Sequence, residues 1–224
     1  MRMRSILFGL ALMGLAHLGL GTDKAQAELL LNFGQIPNSN TITGTKLGDT
    51  DFAITGVDVP IQITQIAPET GLTAPINAYL NVNMNSTAAA GSIGGVGSYQ
   101  AFSGVVTITS GAGGTGINYL STTTLDGLVI GINSTGNVML GNTPGGVGFS
   151  SDVFSTLHDP MSISLQLGNV TPTFGTDGNS LKSFTASVTG TAAAAIPEPS
   201  SIVAAIIGLT TLVPVARRRF RIQA

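Results

Sequence analysis

The chain has 224 residues, room for one ordinary domain or two small ones, with nine Lys+Arg against eleven Asp+Glu and a net charge of −2. Charged residues make up only 9% of it, against about 25% in an average globular protein, which excludes the highly charged kind of disorder. There is no cysteine, so disulfides, thiolate-held metals and thiol catalysis are excluded as well.

At the N-terminus, Arg2 and Arg4 precede an apolar run over residues 6–20, and a short polar stretch leads to Ala25-Gln26-Ala27. These are the three parts of a secretory signal peptide. The arginines stay on the cytoplasmic side while the apolar run enters the bilayer. Ala25 and Ala27 suit the narrow subsites of signal peptidase. The run is shorter than the ~20 residues of a spanning helix, so residues 1–27 read as a leader removed after Ala27.

Residues 28–190 read as one all-β ectodomain. No stretch has helical spacing with caps, whereas alternation is frequent. Val57, Val59, Ile61 and Ile63 alternate with Asp58, Pro60, Gln62 and Thr64, and Pro60 marks an edge or a bulge. Ile76, Ala78, Leu80, Val82 and Met84 alternate with Asn77, Tyr79, Asn81, Asn83 and Asn85. Further strands fall over residues 102–109, 125–132, 161–167 and 184–189. Gly94-Gly95, Gly113-Gly114, Asn142-Thr-Pro-Gly-Gly146 and Asp177-Gly178-Asn179 supply the turns between them. Short strands with half-buried faces predict a single β-sandwich of jelly-roll type, with a barrel or a β-solenoid as the alternative.

Little in this body is equipped for chemistry, and it reads as a non-catalytic structural or interaction module with no cofactor, with a glycan-binding module and then a surface hydrolase as the alternatives. His158 is its one histidine, and there is no Gly-x-Ser-x-Gly elbow to supply a nucleophile. Gly111-Ala-Gly-Gly-Thr-Gly116 fits a dinucleotide-loop pattern, but a β-prone segment follows where a helix is required, so it reads as a hairpin loop. Asp49 and Asp51 offer two hard oxygens for calcium without the rest of an acidic loop. Asn77, Tyr79, Asn81 and Asn83 are the most suggestive group. Amides beside a flat ring suit sugar hydroxyls and a sugar face, although a plain solvated sheet face has the same composition. Lys46 and Lys182 are the only basic residues between the terminal segments, so nucleic-acid binding is not expected.

Residues 191–196 read as a spacer. Pro197-Glu198-Pro199 then precedes an apolar run over residues 202–216 and a cluster of Arg217, Arg218, Arg219 and Arg221. The run is long enough for a single transmembrane helix, and the arginines fix its far end in the cytoplasm. The two prolines keep the peptide before it extended. In this order, over residues 197–224, the three parts resemble the PEP-CTERM sorting signal. The resemblance implies an exosortase-like membrane protease or transpeptidase that recognises Pro197, Glu198 and Pro199. It further implies transient inner-membrane anchoring and delivery to the periplasm, surface or matrix of a Gram-negative-type bacterium that makes exopolysaccharide. It implies an address and no activity. Seven of the nine basic residues lie in the two terminal segments, so the body carries two basic and nine acidic residues, a net of −7.

Overall fold

The computed structural model describes residues 27–37, 41–133 and 137–195. Ala25, Pro197, Glu198 and Pro199, the apolar run and the four arginines lie outside the described residues. No helix among the described residues is long and apolar enough to cross a membrane.

Among the described residues twelve strands follow one another: β1 (Ala27–Gln35), β2 (Ile42–Lys46), β3 (Phe52–Ile66), β4 (Ile76–Ser86), β5 (Gly91–Ile93), β6 (Gly97–Gly111), β7 (Thr115–Ile132), β8 (Val138–Ser150), β9 (His158–Thr171), β10 (Thr176–Asp177), β11 (Ser180–Leu181) and β12 (Phe184–Ala195). β1 and β2 lie end to end between β12 and β3, so they fill one strand position. β5 continues the line of β4 along β6. From there β6, β7, β8, β9 and β12 pair in sequence, all antiparallel, and β12 returns to β1 and β2. The result is a closed eight-stranded up-and-down barrel, with β10 and β11 as a separate small hairpin.

This corrects the expected jelly-roll sandwich. A sandwich leaves edge strands, whereas here Leu31 pairs with Ala192 and the ring closes. Apart from the bulge in β3, the alternation read from the sequence holds in β4, β9 and β12, because one face of each strand is buried in either architecture. Ala78, Leu80, Val82 and Met84 all point inward. So do Ile163, Leu165 and Leu167 of β9 and Phe184, Ala186 and Val188 of β12.

The interior is a packed core. Phe52, Phe102 and Phe184 gather near one end, with Phe52 meeting Phe102 edge-on at 6.0 Å between ring centres. Glycines make room for such rings: a Cβ on Gly44 would lie 2.6 Å from Phe184 and 2.8 Å from Phe52. Phe174 and Leu181, from the β9–β12 connection, close the same end. Phe154, from the β8–β9 connection, is buried against the core as well.

Three strands depart from the sequence reading. β3 is bulged between Gly56 and Val59, with Asp58 at φ +47°, so Val57 turns outward and is 68% exposed while Val59 stays inside. That bulge and Pro60 lie where β3 faces the break between β1 and β2. A proline there removes no ladder hydrogen bond on that side, and the Pro60 carbonyl accepts the Ile36 N–H at 2.9 Å. The Asn142–Gly146 turn does not separate two strands. It is extruded from within β8, opposite Asp126, and Thr143 Oγ1 donates to the Asp126 carbonyl at 3.1 Å. Thr191 to Ala195, read as a spacer, form the end of β12, with Ala192, Ala194 and Ala195 buried. Ala27 is the register partner of Ala195, so the two ends of the described chain leave from the same rim.

Candidate functional site: the outer face of β3, β4 and β6

Because β4 turns its aliphatic residues inward, Asn77, Tyr79, Asn81, Asn83 and Asn85 face outward. The β3 bulge sets Val57 beside this row, and a shallow groove of about 440 Å³ runs across β3, β4 and β6. Thr55, Val57, Asn81, Asn83, Val105 and Thr107 line it. Hydroxyls and amides thus surround two outward valines, of which Val105 is 43% exposed. Such a surface can hydrogen-bond neutral hydroxyls and cover an apolar patch between them.

The four expected residues do different things. Asn81 serves the bulge: its Oδ1 accepts the Asp58 N–H at 2.9 Å, and its Nδ2 donates to Asp58 Oδ1 at 3.2 Å. Asp58 Oδ1 also accepts the Gly113 N–H at 2.6 Å, tying the β6–β7 loop to β3. Asn77 accepts a bond from Gln62 Nε2 at 3.3 Å and lies outside the groove. Tyr79, half-buried, sits opposite Pro60 and Thr109, also outside it. Asn83 is the exposed amide within the groove.

The other candidates are dispersed. Asp49 and Asp51 occupy the β2–β3 turn, where the Asp51 carbonyl accepts the Leu47 and Gly48 N–H groups. No group of three metal-ligating side chains occurs among the described residues. His158 is exposed at the start of β9, opposite Ala195. The loop over residues 111–116 joins β6 to β7 as a hairpin through a 3-10 turn, with Gly113, Gly114 and Gly116 at positive φ.

No family model, curated protein or solved structure matches the chain.

Two contributions were not visible as chemistry in the sequence. Thr55, Val57, Val105 and Thr107 join the Asn row only because β3 and β6 flank β4 and β3 is bulged. Gln100 is fully buried at the end of the barrel away from the chain ends. Its Nε2 donates to the Thr50 and Ala88 carbonyls at 2.8 and 2.9 Å, and its Oε1 accepts the Leu181 N–H at 3.2 Å. One amide therefore joins three connections. Its signal in the sequence is phase: Gln100 occupies the inward register of Ser98 and Phe102.

Proposed function

We propose that this is an exported, non-catalytic barrel of the bacterial surface or extracellular matrix, delivered through its C-terminal sorting signal. The observation that carries the reading is the order of residues 197–224: Pro-Glu-Pro, an apolar run, then clustered arginine. The barrel suits that role. It is closed, its interior is filled by side chains, and Ser, Thr, Asn and Gln are frequent on its outer face. Outward residues of β4, β9 and β12 are polar along most of their length, unlike the apolar band of a membrane-spanning barrel. With β12 running to Ala195, Pro197 follows the barrel rim by two residues, so the processing enzyme would work close against the folded domain.

Glu198→Ala should leave the precursor uncleaved in the membrane fraction. Maturation at the normal rate, read by mass spectrometry of the C-terminus, would remove the sorting assignment. A second reading, recognition of the cell's own exopolysaccharide, is favoured by the uncharged groove around Asn83, Thr55 and Thr107. In that case the ligand is a neutral or weakly charged glycan, since a body of net −7 disfavours anionic chains.

A further inference from the structure

The outer surface is not polar everywhere. At the end of the barrel away from Ala27 and Ala195, Ile93, Val96, Tyr99, Ile130, Ile132 and Met139 form one exposed apolar patch. The register places them together: Tyr99 pairs with Ile130, Ile130 with Met139, and Ile93 and Ile132 both with Gly97. Their exposures run from 37% for Tyr99 to 67% for Val96. A groove of about 410 Å³ runs through the patch, and no charged side chain lines it.

We propose that this patch is the contact surface of a symmetric dimer between two copies of the chain. Three observations favour a second copy as the occupant. The first is area. The six residues together expose the equivalent of about three large apolar side chains, roughly 500 Å² per copy. Pairing two copies then buries about 1,000 Å², the lower limit of a specific protein interface. The second is charge. Two bodies of net −7 repel one another, so a contact between copies has to form where charge is least, and no charged side chain lines this groove. The third is shape. The patch has both a groove and a ridge to fill it. The ridge is the tip of the β5–β6 hairpin, where Gly94 and Gly95 at φ +56° and +74° make a tight turn. No heavy atom beyond their chain neighbours lies within 4 Å of the Cβ position of either glycine, so these two residues stand open to solvent, while the Val96 carbonyl holds the turn to the end of β7 by accepting the Asn133 N–H at 2.8 Å. Ile93 and Val96 also form one wall of the groove, so a two-fold axis that sets this wall of each copy against the Ile130–Met139 wall of the other gives the self-complementary arrangement that an isologous contact requires.

The cysteine-free chain allows a clean test. Full-length chains carrying Ile132→Cys, or Thr185→Cys on the exposed face of β12, are produced in a bacterium and treated with a short bis-maleimide. The Ile132→Cys chain should give a covalent dimer, and the Thr185→Cys chain should not. Adding Met139→Asp, which buries an unpaired carboxylate in the contact, should reduce the cross-linked fraction at least tenfold. Val96→Asn, on the exposed turn, should reduce it as well and provides a second variant that leaves the core untouched. No dimer from Ile132→Cys, equal yields at both cysteine positions, or a yield unchanged by both Met139→Asp and Val96→Asn would overturn the proposal.

Discussion

Gln100→Leu tests how the barrel is closed at the end away from its termini. The side chain is fully buried and makes three bonds, to the Thr50 carbonyl, the Ala88 carbonyl and the Leu181 N–H. Leucine fills similar space but satisfies none of these groups. Each lost bond in a closed site costs about 1 kcal/mol, more where the abandoned group stays dry, so the sum is about 3 kcal/mol. That is a large part of the ~5–15 kcal/mol that holds an ordinary domain folded. Part of the loss should be local. The β9–β12 connection, which carries Phe174 and Leu181 into the mouth, loses its tie to β6. Urea unfolding of the protein, followed by circular dichroism, should give the global loss. Amide exchange at Leu181 should accelerate beyond what that loss explains. Gln62→Leu, on the outer face, is the control and should stay within about 0.5 kcal/mol. If Gln100→Leu costs under about 1 kcal/mol and Leu181 stays protected, the three-way amide is not what seals this end.

Three further outcomes follow from the geometry. Gly190→Ala should destabilise the barrel by about 1–3 kcal/mol, because its Cβ would fall on the Phe33 ring and 2.9 Å from Leu165. Gly141→Ala, with nothing within 4 Å and no positive φ, should be neutral or stabilise by up to about 1 kcal/mol, and thermal melts of the pair separate the two cases. At the bulge, Asp58→Ala loses the bonds to Gly113 and Asn81 and must also hold alanine at φ +47°, whereas Asp58→Gly loses only the bonds; urea titration should find alanine worse by about 1 kcal/mol. On the outer groove, Asn83→Ala with Thr107→Val should weaken retention on the organism's own exopolysaccharide several-fold without lowering the melting temperature; unchanged retention removes the glycan reading.

Much of the local structure was legible in the sequence. Strict alternation assigned the inward set of β4, and the Asp177-Gly178-Asn179 and Gly94-Gly95 signals fall on hairpin turns. Both follow from short-range physics: a period of two puts one face inward, and a turn with positive φ calls for glycine. The Val57 assignment failed because a bulge adds a residue and reverses the face. The bulge is held by Asn81, a partner 23 residues from Asp58. The Thr191–Ala195 spacer failed because small residues that resemble a linker also fit a barrel wall, here between β1 and β9.

By itself, the sequence determined that the body is built of strands and, outside the β3 bulge, most of the side chains that face inward; export and sorting are what its two ends led us to expect and propose. Only the tertiary structure decided that the sheet closes. Closure rests on β12 pairing with β1 and β2, strands some 150 residues away, and nothing local distinguishes a strand bound for a barrel from one bound for a sandwich. The same long-range pairings set Thr55, Asn83 and Thr107 on one outer groove. They also gathered Ile93, Ile130 and Met139 into one patch from residues scattered along the chain.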